Sequence, residues 1–208
     1  MSLALGVLVS GSGTNLQAIL DASQAGALDV DVRVVISNRP DAKALERAAR
    51  AGVQTAVVPH GAFETREAFD DELIATLRRH DCEWIVLAGF MRVLTPRFLR
   101  AFAERIVNIH PALLPAFPGT RAQQQALDYG VKITGCTVHF VDEGVDTGPV
   151  IAQRALTIQD ADDLDSLTRR LLELEHALLV EVLGWLAAGR VHVESRPGQR
   201  PKVRVRPA

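Results

Sequence analysis

Residues 106–119 read IVNIHPALLPAFPG and place Asn108 and His110 two positions apart at the end of an apolar run. Side chains alternate across a strand, so an i, i+2 pair shares one face. An amide and an imidazole then point the same way from a strand's C-terminal end, a pairing suited to stabilising charge on a carbonyl oxygen. Pro111, Pro115 and Pro118 stiffen the chain beyond the strand, because each fixes its own φ and restricts its predecessor. Taken alone, the segment also reads as a satisfied core histidine beside a turn-forming asparagine. A second segment, Val141-Asp-Glu-Gly-Val-Asp-Thr-Gly148, turns on two glycines and returns Asp142 or Asp146 toward His110. A carboxylate beside an imidazole raises the histidine pKa and fixes its tautomer, which makes a general acid–base pair. His110 and His139 with an aspartate could also ligate a metal, but no ligand spacing recommends it.

Further segments carry binding chemistry. Ser10-Gly-Ser-Gly-Thr-Asn15 lies between a strand and a helix, where glycines let backbone amides approach an anion and the helix start adds unpaired N–H groups. A phosphate fits there; an ordinary tight turn is the bland alternative. The dinucleotide fingerprint is excluded because Leu16 stands where its third glycine belongs, and no P-loop Gly-Lys-Ser/Thr occurs. Gly89-Phe-Met-Arg-Val-Leu94 is an unusually apolar connection, so Met91, Val93 and Leu94 read either as the wall of a pocket for a flat apolar ligand or as a seal on the core. Arg66 opens a helix, where a cation opposes the macrodipole unless an anionic ligand offsets it; a solvated surface arginine is the default. Glu175 lies in the row Leu171, Glu175, Leu178, Val182, at the edge of an apolar helical stripe. From there it faces either a cationic or amine-bearing ligand or, more commonly, solvent.

Positioning these residues requires a layered scaffold. Strands are expected at 3–9, 32–36, 55–58, 84–88 and 106–109. Helices are expected near 15–25, 42–51, 66–79 (capped by Thr65) and from Pro96 to Ala103 behind the Thr95 N-cap. Near-continuous apolar strands alternating with helices mean a parallel sheet covered on both faces. The second half differs: alternating strands at 133–141 and 150–158 extend the sheet in antiparallel fashion. A helix from about 165 to 188 then carries Leu164, Leu167, Leu171, Leu174 and Leu178 as its stripe. A final hairpin turns through Arg196–Gln199. The expected fold class is therefore α/β, a single-domain, doubly wound, mostly parallel sheet with an antiparallel C-terminal extension. Residues 1–189 form the main domain, and 190–208 a short hairpin packed on it.

Composition bounds the function. The chain has 208 residues, 48% hydrophobic and only 5% aromatic, so aliphatic packing fills its core. A net charge of −2 gives no support for general nucleic-acid binding. The basic tail (Arg190, Arg196, Arg200, Lys202, Arg204, Arg206) alternates with valine and reads as an exposed strand. Cys82 and Cys136 make neither a disulfide framework nor a CxxC metal pair and read as small core hydrophobes. Met1 leads directly into an apolar strand with no signal-peptide pattern, and no apolar run is long enough to cross a membrane. A soluble, reducing, cytoplasmic setting is the expectation.

Together these stretches resemble the glycinamide ribonucleotide formyltransferase family of purine synthesis, from Leu5 to about Gly189. The matching stretches are SGSGTNLQAI, VVISNRPDA, LERA, LAGFMRVLTP, IVNIHPALLPAFPG, TGCTVHFVDEGVDTGPVI and LEHALL. The resemblance implies a Rossmann-like formyltransferase core that moves formyl from 10-formyltetrahydrofolate to the amine of glycinamide ribonucleotide. It implies a ribonucleotide site at Gly13, Thr14, Asn15 and Glu175, and a folate site at Arg66, Met91, Arg92, Val93, Leu94 and Asn108. It also implies a catalytic group of Asn108, His110 and Asp146. Neither a metal nor a covalent enzyme intermediate is required, and no Gly-x-Ser-x-Gly elbow occurs. Small molecules are the implied partners, not nucleic acid or membrane, for a monomer or homodimer. Family members often read Gly-Leu-His where this chain reads Gly119-Thr120-Arg121, so the role of that histidine does not carry over, although Arg121 keeps a donor there. We expect this departure to alter substrate affinity more than turnover. Three rivals share the core. Initiator-tRNA formyltransferases add a C-terminal barrel, amino-sugar formyltransferases use another acceptor, and formyltetrahydrofolate hydrolases carry an N-terminal regulatory domain. A non-catalytic folate- or anion-binding module is a further alternative, which an intact Asn108, His110 and Asp146 argues against.

Overall fold

The computed structural model describes residues 2–196 and 198–207. Seven strands form one sheet in the order β3-β2-β1-β4-β5-β6-β7, and β8 and β9 form a separate two-stranded sheet. The chain divides into two compact units, residues 1–108 and 109–208, with the boundary inside β5 (Ile106–His110).

In the first unit, β1 (Leu3–Val9), β2 (Val30–Ser37), β3 (Gln54–Val57), β4 (Trp84–Leu87) and the start of β5 pair in parallel. The apolar runs explain this: Leu5, Val7, Leu8, Val34, Val35, Ile36, Ile85 and Val86 are fully buried, as a sheet covered on both faces demands. The helices are α1 (Thr14–Gln24), α2 (Lys43–Arg50), α3 (Arg66–Arg79) and α4 (Pro96–Ala101). Thr65 caps α3 by accepting from the Ala68 amide at 3.1 Å. α4 stops two residues short of the expected Ala103; the left-handed φ of 56° at Glu104 turns the chain into β5. β1 and β4 are neighbours, although the chain visits β2 and β3 between them. The strand order therefore reverses there, the topological switch point at which open α/β sheets bind ligands beyond their carboxyl ends.

In the second unit, β6 (Ile133–Phe140) pairs antiparallel with β7 (Val150–Thr157), with a register shift between Val138 and His139. β6 is buried beyond Ile133, whereas β7 is mostly exposed or half-buried along its length. α5 (Ala122–Tyr129) was not expected from the sequence. Only Ala122 and Ala126 are buried in it, too small a pair to make a visible stripe, and Gly130 at φ 78° closes it. α6 (Leu164–Ala187) begins in a capping box between Asp163 and Ser166. Its buried stripe is Leu167, Leu171, Glu175, Leu178, Val182 and Leu186. Leu164, 41% exposed, and the half-buried Leu174 fall outside the stripe expected for them. β8 (Val191–Glu194) and β9 (Lys202–Val205) form the C-terminal hairpin, and β9 lies against β7. The expected turn at 196–199 includes Pro197, which lies outside the described residues.

Candidate active site

The switch point in the first unit carries two loops. After β1, Gly13 serves as N-cap of α1 with φ 71°, a conformation open to glycine at no steric cost. A Cβ there would stand 2.6 Å from the Ala44 Cβ, so the loop and α2 touch through bare backbone. The Ala44 amide donates to the Gly11 carbonyl (3.1 Å) and the Arg47 guanidinium to the Ser12 carbonyl (2.8 Å), fixing the loop from the α2 side. No side chain caps α1 and no acidic residue sits in its first turn. The dipole end and first-turn amides are thus arranged for an anion. Thr14 is half-buried and Asn15 buried.

After β4, the loop Gly89–Leu94 exposes Met91 (65%) and Val93 (52%), with Arg92 also exposed. Leu94 departs from the expected wall, since at 5% exposure its side chain belongs to the core. Arg66 is exposed, and its guanidinium donates to the Val93 carbonyl at 2.8 Å. Below it, the buried Asp70 accepts from both the amide and the hydroxyl of Thr95, each at 2.7 Å. Burial pushes the Asp70 carboxyl above its ordinary pKa, against the pull of Thr95 and Arg66.

β5 carries Asn108, half-buried, and His110, buried, two residues apart as the strand period requires. In the second unit, His110 Nδ1 lies 3.2 Å from Asp146 Oδ2, and its Nε2 lies 2.8 Å from the Phe117 carbonyl oxygen. Asp146 is therefore the aspartate that returns to the histidine. Asp142 instead closes its own loop, accepting from the Gly144 amide (3.2 Å) and the Thr147 hydroxyl (2.6 Å). Asp146 holds a left-handed φ of 55° and accepts from the Gly119 amide at 2.8 Å, which ties the 141–148 loop to the Pro-rich segment. That segment is anchored from below. The Thr137 hydroxyl donates to the Ala112 carbonyl (2.7 Å) and accepts from the Leu114 amide (3.1 Å). Arg121, at the N-cap of α5, is exposed with φ 58°.

The sequence reading weighed His139 only as a metal ligand beside His110 and an aspartate; the structure places it in this cluster as a neighbour of Asp146. His139 Nε2 lies 3.6 Å from Asp146 Oδ1, an electrostatic contact rather than a hydrogen bond, and its Nδ1 lies 2.8 Å from the Phe140 carbonyl oxygen. His139 sits in an apolar strand run, and the register shift beside it, which re-aims side chains, leaves no mark in the sequence. One carboxylate thus stands between two imidazoles, and each ring faces an acceptor at both nitrogens.

Asp146 is the charged centre. Burial pushes its pKa up, but the His139 ring, the Gly119 amide and the positive charge available on both histidines outweigh burial and hold it below the ordinary carboxylate value. For His110 the balance runs the other way, which corrects the sequence expectation. Burial pulls its pKa below the ordinary value, more strongly than Asp146 and the Phe117 carbonyl raise it, and His139 pulls the same way as burial. His110 is therefore neutral at rest near pH 7. On taking a proton it gains a hydrogen bond at each nitrogen. Glu175 corrects a second expectation. At 4% exposure it lies inside the α6 stripe, not at its solvent edge. Among the described residues, no group of three or more His, Cys, Asp or Glu is arranged to hold a metal ion.

The first unit offers an anion-ready loop at its switch point, and the second a carboxylate-backed imidazole at the end of β5, groups suited to a transferase that handles charge on a carbonyl oxygen. The chain belongs to the formyl transferase family, which matches residues 4–183. It is 45% identical over 185 residues to the phosphoribosylglycinamide formyltransferase of Escherichia coli, covering 89% of this chain and 87% of that one. It is 49% identical over 185 residues, 88% of its length, to the trifunctional purine biosynthetic protein adenosine-3 of Drosophila melanogaster, but spans only 14% of that protein. The crystal structure of glycinamide ribonucleotide transformylase 1 from Symbiobacterium toebii superposes with a TM-score of 0.94 at 48% identity, over 98% of this chain and 94% of that one.

Proposed function

We propose that this chain transfers the formyl group of 10-formyltetrahydrofolate to the amine of glycinamide ribonucleotide in purine synthesis, giving formylglycinamide ribonucleotide and tetrahydrofolate. The observation that carries the reading is that His110, on the strand that also presents Asn108, is held at 3.2 Å by the Asp146 carboxylate. In this reading Gly13, Thr14 and Asn15 hold the ribonucleotide phosphate, and Glu175 contacts the same substrate. Arg66, Met91, Arg92, Val93 and the backbone at Leu94 meet the folate, with Asn108 beside its formyl group. Residues 1–189 are the working domain and 190–208 an appendage. The enzyme works in the cytoplasm on small molecules, as a monomer or homodimer, without nucleic-acid or membrane partners. Among the described residues, no helix is long and apolar enough to cross a membrane.

The chemistry is set by the site. The amine lone pair attacks the formyl carbon, a C–N bond forms, and the carbonyl oxygen becomes an oxyanion that the Asn108 amide stabilises by donating to it. The attacking nitrogen now carries a positive charge and an extra proton. His110, neutral at rest, accepts that proton, and Asp146 stabilises the resulting imidazolium. Collapse of the oxyanion breaks the bond to the folate nitrogen, which leaves with a proton returned from His110. Without substrate, the Phe117 carbonyl occupies His110 Nε2, so substrate must replace that contact.

Absorbance-monitored loss of formyl from 10-formyltetrahydrofolate, with and without glycinamide ribonucleotide, tests the reading. Folate release that depends on the ribonucleotide is expected. Release without it would make the chain a hydrolase, and tight folate binding with no release would leave a binding module or a different acceptor.

A further inference from the structure

We infer that Ser10 is a positioning residue that ties the ribonucleotide-side loop to the folate-side loop, so that the folate wall is preformed when the ribonucleotide binds. The inference rests on the proposed assignment of those two loops to ribonucleotide and folate. Ser10 directly follows β1 at the switch point, where the loops after β1 and β4 leave side by side. Its backbone amide donates to the Gly89 carbonyl at 3.1 Å. Its hydroxyl accepts from the Met91 amide at 2.8 Å and donates to Asn38 Oδ1 at 2.6 Å. Asn38 is held in turn, with Nδ2 lying 3.2 Å from His60 Nδ1. Ser10 and Asn38 are both buried, so the hydroxyl is oriented on its acceptor side and its donor side and has no competing water to satisfy it.

The first half of the folate-side loop is held by the buried Phe90 side chain, and the Met91 backbone just beyond it by the Ser10 hydroxyl. The loop's far end is fixed by Asp70 on Thr95 and by Arg66 on the Val93 carbonyl. Met91 and Val93 themselves project outward, so their side chains contribute little packing to hold the backbone beneath them. The Ser10 hydroxyl therefore bears on where Met91 and Arg92 stand, although it touches neither substrate. Replacing the hydroxyl by hydrogen, as alanine does, leaves the Met91 amide and Asn38 Oδ1 without this partner, a loss comparable to one buried hydrogen bond.

The test compares the full-length parent with Ser10→Ala and Ser10→Thr, the latter keeping the hydroxyl. In Ser10→Ala, amide hydrogen exchange across 89–93 should rise about tenfold, and KM for 10-formyltetrahydrofolate should rise by about the same factor. kcat should stay within about twofold, because the reacting groups on β5 and the 141–148 loop are untouched. Ser10→Thr should restore both values. If Ser10→Ala does not fold, Ser10→Cys, a weaker donor and acceptor, should give an intermediate rise in both. Faster exchange with an unchanged folate KM would overturn the proposal, as would unchanged exchange. Should the parent show no ribonucleotide-dependent turnover, the proposed reaction fails by itself. The exchange data and a tetrahydrofolate titration of parent and variant would still decide whether Ser10 sets the folate wall.

Discussion

At the scale of single residues, the proposed mechanism turns on which form of His110 is present. A spacing of two along β5 makes Asn108 and His110 legible as neighbours on one face, and the two glycines of the 141–148 loop make a returning aspartate legible. The direction of the His110 shift is not, because it is decided by burial, and burial depends on everything packed around the ring. With the pKa pulled below its ordinary 6.5, His110 is available as a proton acceptor at neutral pH. We expect kcat/KM to be flat near pH 7 and to fall on an acid limb below pH 6.5. In Asp146→Asn the carboxylate that supports the imidazolium is gone, so kcat should fall by about 10²–10³-fold and the remaining acid limb should move to still lower pH. A limb that moved to higher pH, or activity that rose on acidification, would mean that His110 works as a resting cation. Asp146 adds a stability signature. Its folded pKa is depressed from 3.8, so its contribution is fully present above that value and is lost as pH falls through the folded pKa.

Secondary-structure elements were legible where one period dominated. β1, β2 and β4 are continuous apolar runs, and the Thr65 cap and Pro96 mark helix starts by mechanism rather than composition. α5 escaped because two buried alanines carry almost no hydrophobic signal. Glu175 was misplaced because a carboxylate on a buried stripe reads, in sequence, as the stripe's edge. The turn from β1 to α1 is the element on which the proposed ribonucleotide site depends, and its glycines are not equivalent. Gly13 has a positive φ of 71° and a Cβ on it would stand 2.6 Å from the Ala44 Cβ, whereas a Cβ on Gly11 would meet nothing within 4 Å. We therefore expect Gly13→Ala to destabilise the fold by about 2 kcal/mol or more, from αL strain plus the clash. In a chain of this size that lowers Tm by about 4–8 °C. It should also raise KM for the ribonucleotide, because α1 and its first-turn amides must shift away from α2. Gly11→Ala should leave Tm within about 2 °C of the parent. Calorimetry on both variants separates the two sites, and an equal loss from each would show that the loop has no rigid contact to α2.

At the scale of the whole chain, composition excluded more than it identified: a near-neutral charge, few aromatics and two isolated cysteines leave an aliphatic α/β core and little else. The order and spacing of the motifs carried the family, because sheet topology brings strand ends together that lie far apart in sequence. The cysteines offer a readout of the intact fold, one in each compact unit: Cys82, 8% exposed, in residues 1–108, and Cys136, fully buried, in residues 109–208. Burial pushes both thiols up to about 12, so at pH 8 almost none of either is thiolate, and neither sulfur is open to a reagent. We expect native protein at pH 8 to resist iodoacetamide for hours, and each thiol to alkylate within minutes once denaturant opens its unit. Mapping the modified cysteine by mass spectrometry along a denaturant series then gives a separate opening free energy for each unit. Cys136 lies in β6, the strand that carries His139 and leads into the 141–148 loop, so its protection reports on the scaffold of the proposed catalytic cluster. Rapid alkylation of Cys136 in the native protein would mean that β6 opens on its own. The carboxylate between the two imidazoles would then be held less firmly than its hydrogen bonds imply.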